Sequence, residues 1–318
     1  MTITAGYLAP SSAIAHGKIS EPEDTESKDS AALSRTVNSS ALLAATSPLL
    51  LGHRGGRAES VENMPAALVH ACNLQNRGLA GIEFDVQLSA DGHLIIFHDE
   101  TLLRLGKQQA RIDQMTLAEI RRIRIFNESI MALDDLLTYP ISPVSLASRP
   151  LLKGQSKANA QPATPRPATL YNAMMGFNHI ELEIKTHERT NYTMLVRALE
   201  DSLIRGGIAK LPLVLTSFDV TLLNMLYRHP ILSKIPRGLL SETPEMIAQL
   251  THTATRLACR QVGVHYPLID ATLVKQCRRA ELTISAWTVN DRDEANKLHH
   301  LGVDVLITDH PRAFLEFM

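Results

Sequence analysis

The sequence predicts an α/β protein folded as a TIM (β/α)8 barrel, and three observations carry this. Short β-rich runs alternate with amphipathic segments along most of the 318 residues, the pattern of parallel strands joined by crossover helices. Two of the runs alternate apolar with acidic residues, so each strand projects carboxylates from one face. Polar residues gather at the carboxyl ends of the runs, where barrels carry their chemistry.

Taken in chain order, residues 1–46 are rich in Ser, Ala, Thr and Glu without periodicity and are expected to form a flexible N-terminal tail. The barrel is expected over residues 47–318. Strands are predicted at Leu49–His53, Ile82–Leu88, Leu94–His98, His179–Lys185, Leu213–Phe218, Arg237–Leu240, Gln261–His265, Thr283–Thr288 and Val303–Thr308. Helices lie between most of them, among them Asn191–Arg205, Ala271–Arg279 and Arg292–His300. Nine strands exceed the eight of a barrel. The excess sits at Ile82–His98, where Ser89-Ala90-Asp91-Gly92 is shorter than the roughly dozen residues a parallel return needs. A small hairpin insertion turning near Asp91-Gly92 fits, and setting aside one arm leaves eight strands. Residues 140–169 combine Pro, Ser, Ala and Gln without a period and read as an irregular insertion on the barrel surface.

Composition excludes several classes. A formal net charge of −1, with Lys+Arg 32 against Asp+Glu 33, gives no basic stripe for a nucleic-acid partner. No run approaches the roughly 18–20 apolar residues of a membrane span, so no stable membrane insertion is expected. The first cation after Met1 is Lys18, so the amino end lacks the basic start of a signal peptide. Cys72, Cys259 and Cys277 have no CxxC spacing and read as buried or reduced thiols. Together these features predict a cytoplasmic location. The chain has no GxSxG, P-loop or zinc-type spacing, which removes serine-hydrolase, nucleotide-triphosphate and structural-zinc readings. Nothing in the sequence specifies an oligomeric state.

The chemistry lies in the alternating strands. In Ile82-Glu83-Phe84-Asp85-Val86 the carboxylates share one face and the apolar residues the other. An inward pair of carboxylates repels and is costly to desolvate unless a positive group lies between them, and a hard divalent cation suits that place. Alone, the strand would read equally well as a solvated edge. The second run, Ile180-Glu181-Leu182-Glu183-Ile184-Lys185, repeats the pattern and adds a lysine. A hairpin turn near residues 90–91 sets His98 roughly opposite Glu83. His53-Arg54-Gly55-Gly56 ends the first strand, with an arginine suited to phosphate oxygens and glycines that let backbone approach a ligand. Trp287, the one tryptophan, ends a strand and is either core or a platform for an alcohol group. Ser217 is a candidate site-lining hydroxyl, and His310 is not expected to be a ligand.

These motifs, in this order, resemble the glycerophosphodiester phosphodiesterase family from about residue 49 to 318, less residues 140–169. The pieces are Gly52-His53-Arg54-Gly55, Glu62-Asn63, Glu83-Phe84-Asp85-Val86-Gln87-Leu88, Asp91-Gly92, Phe97-His98-Asp99, Glu181-Leu182-Glu183-Ile184-Lys185, Ser217-Phe218, Trp287-Thr288-Val289-Asn290 and Thr308-Asp309-His310-Pro311. The resemblance implies a TIM barrel with an insertion between its second strand and the next helix. It implies Glu83, Asp85 and Glu183 as ligands of Mg²⁺ or Ca²⁺, His53 and His98 as the acid/base pair, and Arg54 and Lys185 as holders of the phosphate. The expected reaction is metal-dependent hydrolysis of a glycerophosphodiester to glycerol 3-phosphate and an alcohol. The chain departs from the family at Val61-Glu62-Asn63-Met64 and in the Leu102–Gln109 stretch, which is expected near the substrate. Alternatives are a lysophospholipid or sugar phosphodiester as substrate, and a catalytically inactive binding barrel. A barrel lyase or aldolase would need Lys185 uncharged, against the carboxylates on its own face.

Overall fold

The structure, a computed structural model, describes residues 47–141 and 168–316. The expected tail, residues 1–46, and residues 142–167 of the expected insertion lie outside the described residues. Eleven strands are present among the described residues: β1 Leu49–His53, β2 Gly81–Leu88, β3 Leu94–Ile96, β4 Arg124–Ile125, β5 Glu128–Ser129, β6 His179–Ile184, β7 Leu213–Ser217, β8 Arg237–Ser241, β9 Gln261–His265, β10 Thr283–Trp287 and β11 Val305–Thr308. Around the barrel they run β1-β2-β6-β7-β8-β9-β10-β11, each parallel to the next, and β1 pairs with both β2 and β11 to close the ring. The eight-stranded TIM barrel is therefore present, and each predicted strand is found with its ends shifted by at most a few residues.

Alternation explains why the strands sit as they do. Ile82, Phe84 and Val86 on β2, and Ile180, Leu182 and Ile184 on β6, point outward into the main core. There they meet helical residues such as Leu68 and Ala71 of Pro65–Leu74 and Leu195 and Leu199 of Tyr192–Leu199. Between β2 and β6 the backbones crowd at Gly81, where a Cβ would lie 1.8 Å from the His179 carbonyl oxygen. Side-chain caps start the helices that follow five of the strands, Asp219 after β7 and Thr243 after β8 among them. Asn191, Asp270 and Asp291 each accept a backbone N–H from the first turn. The helix predicted over Asn191–Arg205 is α-helical at Tyr192–Leu199 and continues as a π turn through Arg205. All three cysteines are free and buried, and burial pushes the Cys72 thiol up to about 12, which leaves it unreactive.

β3 pairs antiparallel with β2 and is the predicted hairpin arm. Its register differs from the expected one. Val86 faces Ile96 and Leu88 faces Leu94, so the turn centres on Asp91 rather than between 90 and 91, and the ladder ends before Glu83. Gly92, at φ +86, takes the left-handed position that completes this turn. After β3 the chain builds a small lobe with its own apolar cluster, which includes Met64, Ile95, Phe97, Leu102, Ile112, Ile120, Ile125 and Ile130. The β4–β5 hairpin belongs to it and was not anticipated, because two-residue strands carry no readable period. The described ends of the 140–169 stretch meet at an antiparallel Pro140–Thr169 bridge.

Candidate active site

The site forms at the carboxyl ends of the strands. β1 ends in His53, and Arg54 then turns at φ +50, a left-handed conformation that costs a non-glycine residue about 1–2 kcal/mol. The turn is held from several sides. The Arg54 backbone N–H donates to Glu83 Oε2 at 3.1 Å, and the guanidinium reaches Glu62 Oε1 at 2.6 Å and Asp85 Oδ2 at 3.3 Å. Gly55 follows at φ +86, and a Cβ there would lie 2.6 Å from the backbone of Ala67. No side chain fits, which accounts for the glycine.

β2 and β6 pair in register, so Glu83 lies beside Glu181 and Asp85 beside Glu183. This juxtaposition brings oxygens of Glu83, Asp85 and Glu183 within 4.8 Å of one another. Lys185 Nζ donates to Glu183 Oε1 at 2.5 Å and lies 3.1 Å from Asp85 Oδ1. Asn63 donates to Asp85 Oδ2 at 2.8 Å. The electrostatics follow from crowding. Burial, then the charges of Asp85 and Glu183, push Glu83 well above the carboxylate range. Burial raises Glu183 to about 7 against the pull of Lys185. Burial also opposes ionisation of Asp85, but Lys185 and Arg54 outweigh it and hold this carboxylate ionised. Lys185 is raised above its ordinary value, burial being overcome by Asp85 and Glu183. The lyase or aldolase reading, which needs a neutral amine, therefore finds no support.

The two histidines have the same design. His53 Nδ1 lies 2.6 Å from Asp309 Oδ1, and His98 Nδ1 lies 2.7 Å from Asp99 Oδ1. An ionised carboxylate only accepts, so Nδ1 carries the proton in each ring and Nε2 is left for other partners. His53 Nε2 lies 3.8 Å from Glu83 Oε2. Burial lowers both imidazole pKa values, partly offset by the Asp309 hydrogen bond for His53 and by the Asp85 charge for His98. Asp309 is fixed by Asn290, whose Nδ2 donates to Oδ2 at 2.8 Å and whose Oδ1 accepts the Asp309 N–H at 2.9 Å.

His53, Arg54, Glu83, His98, Glu183, Lys185 and Trp287 line one cavity of about 270 Å³, with Asp85 buried directly behind the carboxylates. Sequence reasoning thus named residues that the fold gathers, but assigned no role to Asp309, Asp99, Asn63 or Glu62. Their signal was present in the Asp-His-Pro, His-Asp and Glu-Asn pieces, but which partner each would touch depends on strands distant in sequence. Trp287 is half-buried at the wall, edge-on to Phe218 with ring centroids 5.7 Å apart. Ser217 does not line the cavity. Its hydroxyl donates to the Ile184 carbonyl at 2.8 Å and ties β7 to β6. No residue of 102–109 lines the cavity either, and His310 is exposed outside it.

A closed parallel barrel with charged groups gathered at the carboxyl ends of its strands is the frame of a barrel enzyme, and comparison with known proteins places it among the phosphoric diester hydrolases. The chain belongs to the glycerophosphoryl diester phosphodiesterase family, whose family model matches residues 53–313. It is 25% identical over 281 residues to a glycerophosphodiester phosphodiesterase of Caldanaerobacter subterraneus subsp. tengcongensis, covering 85% of this chain and 97% of that protein. An Arabidopsis thaliana glycerophosphodiester phosphodiesterase is 26% identical over 284 residues, covering 85% and 73%. Among solved structures, an Oleispira antarctica phosphodiesterase in complex with its product sn-glycerol-3-phosphate shares the fold. Its TM-score is 0.64 at 23% identity, over 85% of this chain and 96% of that one. Among the described residues no helix is long and apolar enough to cross a membrane.

Proposed function

We propose that this enzyme hydrolyses a glycerophosphodiester to glycerol 3-phosphate and an alcohol, with a divalent metal and histidine acid/base catalysis. One observation carries the reading. Three carboxylates converge within 4.8 Å at the barrel mouth, flanked by two cations and two carboxylate-oriented histidines. The product-bound Oleispira antarctica structure supports the choice of glycerol phosphate as product.

The donor set fits a hard cation. Glu83, Asp85 and Glu183 offer only oxygen, and burial followed by mutual repulsion, which together raise the pKa of Glu83, are costs a divalent ion would offset. Mg²⁺ or Ca²⁺ bound there would act as a Lewis acid toward the phosphoryl oxygens. Arg54 and Lys185 neutralise the diester and hold it, Arg54 through a planar fork and Lys185 as a point charge. One histidine Nε2 takes the proton of the attacking oxygen, the phosphorus–oxygen bond to the alcohol breaks, and the other Nε2 protonates the leaving alkoxide. Asp309 and Asp99 stabilise the imidazolium in both rings, the one the base forms and the one the acid holds before it gives up its proton. Trp287 and Phe218 offer an aromatic wall to the alcohol. At about 270 Å³ the cavity favours a compact water-soluble diester over a lysophospholipid, whose acyl chain needs an extended apolar groove. Buried, unpaired cysteines support a reducing, cytoplasmic setting.

The test is a coupled assay of glycerol 3-phosphate release from glycerophosphocholine and glycerophosphoethanolamine with Mg²⁺, Ca²⁺ or EDTA. Metal-dependent release that Glu83→Ala abolishes is the expected result. No release from either diester with either metal refutes the reading.

A further inference from the structure

We infer that Arg104, outside the cavity, is a positioning residue that locks the phosphate-facing arginine and one catalytic histidine into a single unit. The inference rests on the roles proposed above for Arg54 and His98. Its guanidinium makes two forked contacts at once. Toward Glu62 it places Nη1 at 2.8 Å from Oε2 and Nη2 at 2.6 Å from Oε1. Toward Asp99 it places Nε at 2.7 Å from Oδ2 and Nη2 at 3.0 Å from Oδ1. Each carboxylate has a second partner in the site. Glu62 accepts from Arg54 at 2.6 Å, and Asp99 faces His98 Nδ1 at 2.7 Å. A continuous chain therefore runs Arg54–Glu62–Arg104–Asp99–His98.

The two ends of that chain lie on different parts of the fold. Arg54 and Glu62 belong to the loop after β1, and His98 and Asp99 to the loop after β3. The small lobe joins these loops, with Met64 and Leu102 both fully buried in its apolar cluster. That contact sets their spacing but not the rotation of the carboxylates. Arg104 supplies the rotation, because a rigid planar fork fixes two carboxylate planes where a point charge would not. Its own backbone is pinned, with Gly106 N–H donating to the Leu102 carbonyl at 2.7 Å and Lys107 Nζ to the Arg104 carbonyl at 3.1 Å. Both carboxylates are held below their ordinary pKa, burial being outweighed first by the hydrogen bonds to Arg104. Residues 102–109 thus bear on site geometry from behind, through Arg104, since none of them lines the cavity.

The experiment compares wild type with Arg104→Met and Arg104→Lys, using glycerophosphocholine turnover and ¹⁵N NMR of the His98 ring in the metal-loaded protein. Arg104→Met should lower kcat about tenfold to a hundredfold, the scale of a misplacement of about 1 Å, while KM changes less than threefold. Arg104→Lys should recover only part of the loss, and added guanidinium ion should restore turnover to Arg104→Met, because the Arg104 side chain is 45% exposed and its site open to solvent. The His98 nitrogen resonances should move in Arg104→Met and return with guanidinium. Wild-type kcat in folded Arg104→Met, or equal rescue by Arg104→Lys, overturns the inference. Should wild type turn over no diester, the functional reading fails, while unchanged His98 resonances in Arg104→Met would still refute the lock.

Discussion

Binding of a divalent cation to the Glu83–Asp85–Glu183 cluster should stabilise the fold, and the gain should grow with pH. At a cation concentration of 100 times Kd the gain is about 2.7 kcal/mol. With about 2.1 cal/mol/K of unfolding entropy per residue, the roughly 240 described residues give about 0.5 kcal/mol/K, so Tm should rise by about 5 °C. The pH dependence comes from Glu83 and Glu183, both raised by burial in the cation-free protein, and Glu183, raised to about 7, sets the window. A carboxyl raised in the fold favours its neutral form. Its stabilising contribution is full below the unfolded value of 4.5 and is lost as pH rises through about 7. The cation needs the ionised forms, so each pH unit below about 7 weakens binding roughly tenfold for each proton displaced, and at least tenfold in all. At the concentration that gives about 5 °C at pH 8, the gain at pH 6 should shrink to about 3 °C or less. Calorimetry with Mg²⁺ or Ca²⁺ against EDTA at the two pH values measures both numbers. Equal shifts at pH 6 and 8 would refute the titration argument. A shift of the same size in Glu183→Gln would place the ion elsewhere.

Replacing either His53 or His98 by Ala should reduce kcat by about 10²–10⁴ with metal affinity retained, measured by turnover and by the same Tm increment; normal turnover in either variant would remove that histidine from the mechanism. Asp309→Asn should lower kcat and shift the pH at which His53 titrates downward, since Asp309 opposes the effect of burial, and the pH–rate profile reads this directly. Phe84→Ala, on the outward face of β2, should cost about 3–5 kcal/mol and lower Tm by about 6–10 °C, while the metal increment at the adjacent inward carboxylates persists. Loss of that increment would mean that β2 cannot hold its register without the ring.

Alternation in Glu83–Asp85 and Glu181–Glu183–Lys185 was enough to place the carboxylates on inward strand faces, because a pleated strand has a fixed period of two. The missing crossover length at Ser89–Gly92 was enough to separate the hairpin arm from the eight barrel strands. The same local logic named His53, Arg54 and His98, which end strands in a fold whose chemistry gathers there. Whatever depended on contact between distant segments was beyond its reach. The β2–β3 register was one residue off, since the turn geometry at Gly92 and not the apolar pattern sets it. Ser217 looked like a lining hydroxyl, yet its hydroxyl is taken by the Ile184 carbonyl. Asp309 stands 256 positions from His53, and Arg104 stands 42 from Glu62. Only barrel closure between β1 and β11, and packing of the small lobe against the loop after β1, brought those pairs together. Strand faces and the reactive groups on them are encoded locally, whereas the partners that orient those groups exist only once the ring has closed.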